Sequence, residues 1–119
     1  MEFVPWPSRS GLFHFIIEGL IMSQILSDQD VQAKLSALTG WERAQVGGKA
    51  GIHKTYKTGN FLAGLSFVTK AAVAAEMANH HPDVILTYPS VTMQLTTHDA
   101  GGLTEKDFQL AAKLDELAP

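Results

Sequence analysis

The chain has 119 residues, 45% of them apolar and 18% charged, which is the size and composition of one ordinary domain able to build a core without staples, so disordered and fibrous classes are excluded. Its net charge is −3, and the nine Lys and Arg are scattered, leaving no basic stripe to track a phosphate backbone; direct nucleic-acid binding is excluded. Cysteine is absent, which removes disulfides, thiolate nucleophiles and Cys-based zinc sites, and makes the cytoplasm the expected location.

The first 21 residues read as an extension outside the domain. Pro5 and Pro7 precede an apolar run, Gly11 to Met22, that is shorter than the roughly 20 residues a membrane span needs and is interrupted by Glu18. It also lacks the basic flank and small-residue cleavage site of a secretory signal. Met22 resembles a start in its own right, so a single domain is expected over 22–119, with 1–21 outside it and no membrane association.

Ser27 predicts a helix entry: its hydroxyl can cap free amides, and Asp30 sits three residues on, close to the positive helix end. Val31, Leu35 and Leu38 continue at helical spacing and Gly40 closes the element. Trp41–Val46 and Ile52–Thr58 then read as two strands around a glycine-rich turn over 47–51. A phosphate loop is rejected there, because Lys49 is followed by Ala50 and a strand rather than by Ser or Thr and a helix.

Asn60 predicts the start of a long helix with Phe61, Leu65, Val68, Ala72 and Ala75 inward. Pro82 should end it at His81. Val84–Tyr88 and Val91–Thr97 read as strands joined at Pro89–Ser90, with Val91, Met93 and Leu95 on one face. Gly101–Gly102 breaks the chain, and Thr104 opens a last helix with Phe108, Ala111, Leu114 and Leu117 inward. The order α-β-β-α-β-β-α with short connections predicts an α+β domain: a four-stranded antiparallel sheet with three helices packed on one face.

Within this frame the residues that carry chemistry cluster: Glu76, His80 and His81 near a helix end, Tyr88 and His98 at strand ends, and Asp107 in the first turn of the last helix. Histidine exchanges protons near neutrality, so acid–base work is one reading of His80, His81, His98 and Asp107. Others stay open: Glu76 and His80 as an i,i+4 helix pair, His80 and His81 as capping residues, Asp107 as half of a capping box, and Tyr88 as packing. A three-histidine zinc site is disfavoured, since His-Glu-x-x-His is missing and adjacent histidines converge poorly on one ion. No Gly-x-Ser-x-Gly nucleophile turn exists.

The run Glu76-x-x-x-His80-His81-Pro82 followed by Tyr88, His98 and Asp107 resembles the signature of the pterin-4a-carbinolamine dehydratases. Trp41, Phe61, Phe67, Thr96-Thr97-His98-Asp99 and Gly102-Leu103-Thr104-Glu105-Lys106-Asp107 agree, and the likeness spans about Leu26 to Leu117. It implies the same α+β fold and dehydration of 4a-hydroxytetrahydrobiopterin to quinonoid dihydrobiopterin, recycling the pterin of aromatic amino-acid hydroxylases without metal or cofactor. By the same resemblance His80 and His81 supply the acid and base, His98 positions the pterin or shares proton transfer, Asp107 orients His98, Glu76 orients His80, and Tyr88 lines the substrate site. The resemblance further implies a homodimer or homotetramer. It also implies a competing role as a protein partner: animal homologues promote dimerisation of a homeodomain transcription factor, and some relatives are linked to hydroxylase regulation or molybdenum-cofactor biology.

Overall fold

A computed structural model describes residues 23–119; the expected boundary after residue 21 lies outside them. The elements follow the predicted order: α1 (Asp28–Ser36), β1 (Glu42–Val46), β2 (Lys49–Lys57), α2 (Phe61–Ala78), β3 (Asp83–Leu86), β4 (Ser90–Leu95) and α3 (Glu105–Leu117). The four strands form one antiparallel sheet in the order β1-β2-β4-β3, and the helices cover one face. Val91, Met93 and Leu95 of β4 and Ile52 of β2 point into the core and are fully buried against Phe67, Ala71, Ala111 and Leu114 of α2 and α3.

Each helix begins where a side chain can satisfy a free amide. Ser27 accepts from the Asp30 amide at 3.1 Å and Asn60 from the Ala63 amide at 2.8 Å. At α3, Thr104 and Asp107 form a capping box in which the Thr104 amide donates to Asp107 Oδ2 at 2.9 Å. This buries a carboxylate completely, at the positive end of the helix.

Three expectations are corrected. The first hairpin turns on Gly47 and Gly48 alone, both at positive φ (59° and 78°), as a two-residue turn matched to strand twist requires; Lys49, Ala50 and Gly51 belong to β2. Gly51 is needed for another reason, since a Cβ there would lie 2.5 Å from Val46 Cγ2 and 2.6 Å from the Leu95 carbonyl oxygen. In α2 the inward residues are Gly64, Phe67, Ala71 and Ala75, whereas Phe61 and Leu65 are exposed. That helix is apolar on nearly every side, so its sequence has no single phase; it has the length and composition of a membrane span, yet packs its inward stripe on the sheet.

The third correction shapes the site. Helix α2 ends at Ala78, not His81, because Asn79 turns left-handed (φ 49°, ψ 42°). The Asn79 amide bonds the Glu76 carbonyl at 3.2 Å and the His80 amide bonds the Ala75 carbonyl at 3.1 Å, a Schellman closure that satisfies the last carbonyls. Asn is among the few side chains that tolerate this conformation. The chain therefore reverses direction before the two histidines.

At the opposite end of α3, Asp115 Oδ1 accepts from Tyr56 (2.5 Å), Lys54 (2.9 Å) and Trp41 (3.1 Å), tying the helix to the sheet. Burial, reinforced by the adjacent Asp115 carboxylate, pushes the Tyr56 phenol well above its ordinary value.

Candidate active site

The reversal at Asn79 carries His80 inward and leaves His81 outward. His80 is buried, and its Nε2 lies 2.7 Å from Asp107 Oδ1. His81 is exposed; its Nε2 is 3.5 Å from Glu76 Oε1, a water-screened approach between two mobile side chains. The pairing implied by the resemblance is thus exchanged: Asp107 meets His80 rather than His98, and Glu76 approaches His81 rather than His80. Once Asn79 leaves helical geometry, positions 76 and 80 no longer share a helix face.

His98 follows β4 in an exposed turn, Thr97 to Gly102, closed by bonds from the Gly101 and Gly102 amides to the Thr97 carbonyl at 3.0 and 3.3 Å. Its ring edge packs over the first hairpin: Cε1 lies 3.0 Å from where a Cβ on Gly47 would sit. The β1–β2 turn thereby forms one wall beside His98.

His80, His81 and His98 line a single cavity of about 350 Å³, with Asn79, Thr96, Thr97, Asp99 and Lys106 completing its surface. That volume lies at the small end of the range for small-molecule pockets. Three imidazoles, one of them held by a buried carboxylate, provide both hydrogen-bond donors and acceptors on this surface. Among the described residues, no group of three or more His, Asp or Glu side chains is arranged to hold a metal ion.

Three candidates fall outside this cavity. Asp107 is fully buried behind His80 and reaches it only through that ring. Tyr88, 69% exposed, sits on the β3–β4 turn and is not part of the lining. Glu76 is exposed and borders a separate groove with His81, Pro82 and Val84. Sequence reasoning missed Asn79, whose left-handed turn separates the histidines, and Thr97, whose hydroxyl donates to Asp107 Oδ2 at 2.7 Å. The signals for Thr97 were its place at the predicted strand end before His98 and in the Thr96-Thr97-His98-Asp99 run of the resemblance, neither of which gave it a role. Lys106 was likewise not singled out; it lines this cavity and a second one of about 270 Å³ between α2 and α3, which His80 also borders.

An α+β domain with a buried carboxylate–imidazole pair opening on a histidine-lined cavity is equipped for proton transfer to a small ring compound. Comparison with known proteins narrows this class. Residues 24–117 match the family model "Pterin 4 alpha carbinolamine dehydratase", and the chain belongs to that family. A protein of Roseiflexus sp. (strain RS-1), provisionally named pterin-4-alpha-carbinolamine dehydratase, is 46% identical over 96 residues, covering 81% of this chain and 99% of its own. One of Solibacter usitatus (strain Ellin6076) with the same provisional name is 47% identical over 97 residues, covering 82% and 98%. The crystal structure of a transcriptional coactivator/pterin dehydratase from Brucella melitensis superposes with a TM-score of 0.71 at 33% identity, over 79% of this chain and 98% of that one. A pterin dehydratase-like RuBisCO assembly factor of the alpha-carboxysome, at 22% identity and a TM-score of 0.55 over 66% and 89%, shares the fold.

Proposed function

We propose that this protein dehydrates 4a-hydroxytetrahydrobiopterin to quinonoid dihydrobiopterin by histidine acid–base catalysis. The observation that carries this reading is the buried His80–Asp107 pair, 2.7 Å apart, whose His80 lines the same cavity as His81 and His98. The reaction needs one proton delivered and one removed. An acid protonates the 4a-hydroxyl, a base takes the N5 proton, the N5 lone pair forms the N5–C4a double bond, and the C4a–O bond breaks to release water. Imidazoles serve both ends of this exchange near neutral pH, each contributing about 10²–10⁴-fold. His80 is the fixed group, while the exposed His81 and His98 can adjust to the ligand and exchange protons with solvent. The proposal assigns the activity to pterin recycling for aromatic amino-acid hydroxylation, in the cytoplasm.

The test is spectrophotometric turnover of freshly made 4a-hydroxypterin. His80→Ala, His81→Ala and His98→Ala should each slow dehydration, on the order of 10²-fold for His80, with the fold intact by circular dichroism. Near-native turnover in all three would sink the assignment.

A second reading, a protein-partner role, is supported by the Brucella relative's description as a coactivator as well as a dehydratase and by the apolar outward side of α2, where Leu62, Leu65, Val73 and Met77 are exposed. Val73→Glu should abolish partner or self-association while sparing turnover; loss of both together would argue against separable roles.

A further inference from the structure

Asp107 is fully buried, and an ionised carboxylate only accepts hydrogen bonds. Its Oδ2 receives the Thr97 hydroxyl at 2.7 Å and the Thr104 amide at 2.9 Å, and its Oδ1 faces His80 Nε2 at 2.7 Å. A hydroxyl has one proton. Since that of Thr97 goes to Asp107, the 2.8 Å contact between the Thr97 and Thr104 hydroxyls must be a donation from Thr104. With Asp107 as the carboxylate, every proton direction is then fixed: Thr104 to Thr97, Thr97 to Asp107 Oδ2, and His80 Nε2–H to Asp107 Oδ1.

The neutral ring of His80 therefore carries its proton on Nε2 and its lone pair on Nδ1. Among the described residues, Nδ1 has no hydrogen-bond partner. Among the described residues the one buried side-chain polar atom lacking a partner is Thr58 Oγ1, so His80 Nδ1 must be reached by solvent. The ring thus has one nitrogen anchored and the other an acceptor within reach of water.

We propose that Thr97 is a positioning residue that, through Asp107, locks His80 in the Nε2–H form and presents Nδ1 as the proton acceptor of the site. The carboxylate torsion of an Asp side chain is broad and roughly two-fold, so one donor leaves the group free to swing. The Thr104 amide comes from the start of α3, whereas Thr97 lies just beyond β4; two donors from different elements hold the carboxylate plane. This deepens the dehydratase reading and rests on it for the word acceptor, but the ring state is measurable without turnover.

The experiment is long-range ¹H–¹⁵N NMR of the full chain at a pH where the imidazole is neutral, beside steady-state dehydration kinetics. In the wild type, His80 should show a protonated Nε2 and a bare Nδ1; the opposite tautomer overturns the proposal outright. Asp107→Asn should invert it. The two donors at the Oδ2 position oblige the new amide oxygen to sit there, the amide NH₂ then faces Nε2, and the ring must move its proton to Nδ1. Thr97→Val should displace and broaden the Nε2–H resonance and lower kcat about tenfold with KM within about twofold, and Thr97→Ser should restore both. Unchanged His80 resonances and kcat in Thr97→Val refute the positioning role, and an unfolded Thr97→Val leaves the decision to the wild-type, Asp107→Asn and Thr97→Ser spectra. A wild-type chain with the expected tautomer but no dehydration would instead refute the proposed function alone.

Discussion

Replacing Asp107 by alanine removes one buried acceptor and strands three buried donors: the Thr97 hydroxyl, the Thr104 amide and His80 Nε2–H. An unsatisfied buried donor costs about 1–3 kcal/mol, and loss of the α3 capping box adds about 1 kcal/mol. The effects share one pocket and are not additive, so a total of about 3–4 kcal/mol is expected. For a domain of this size that corresponds to a fall in Tm on the order of 15–25 °C. His80→Ala removes only one of the three donors and leaves the carboxylate bonded to Thr97 and Thr104, so its cost should be about 1–2 kcal/mol. Guanidinium chloride denaturation of the two variants checks the ordering. If Asp107→Ala were no more costly than His80→Ala, the carboxylate would not be the hub of the network and the reasoning would fail.

Other perturbations probe the scaffold. Asn79→Gly should leave stability within about 0.5 kcal/mol, while Asn79→Ala should cost about 1–2 kcal/mol, because only the latter strains the left-handed turn; chemical denaturation distinguishes them. Gly51→Ala should destabilise by about 2–3 kcal/mol, since its Cβ meets the Leu95 backbone oxygen, which cannot rotate away. The raised Tyr56 phenol means the folded state holds its proton when the unfolded chain has begun to lose it. Its stabilisation is therefore complete below about pH 10, the free-phenol value, and is lost as pH rises beyond it. Denaturation midpoints should fall across that alkaline range, and Tyr56→Phe should flatten the decline. Light scattering should report a homo-oligomer, and a chain that stays monomeric at working concentration would contradict this.

Much of the fold was legible because its punctuation is chemical. Ser27, Asn60 and Thr104 are helix entries whose side chains do what their types allow, and β4 alternates so regularly that its buried face could be read directly. Helix α2 resisted for a physical reason. At 100° per residue, Leu62, Leu65, Val73 and Met77 fall within roughly a third of the circumference, opposite Gly64, Phe67, Ala71 and Ala75. Two apolar stripes on one helix cancel the periodic signal that a single stripe would give. The second stripe stays exposed on the single chain, so burial within that chain does not account for it.

The three histidines could be grouped from the sequence, but their carboxylate partners could not. His80, His81 and His98 do share a cavity, but which carboxylate meets which ring depends on a single backbone torsion at Asn79. Had α2 continued to His81, Glu76 would lie beneath His80 as an exposed pair, worth a few tenths of a kcal/mol. The Schellman closure instead sends His80 to a carboxylate 27 positions away, already committed to the Thr104 capping box. The same box that starts α3 therefore supplies the partner of the one buried histidine among the described residues. Asp107 thus joins two contacts in one carboxylate: the bond that holds the helix start also fixes the oxygen that faces the imidazole.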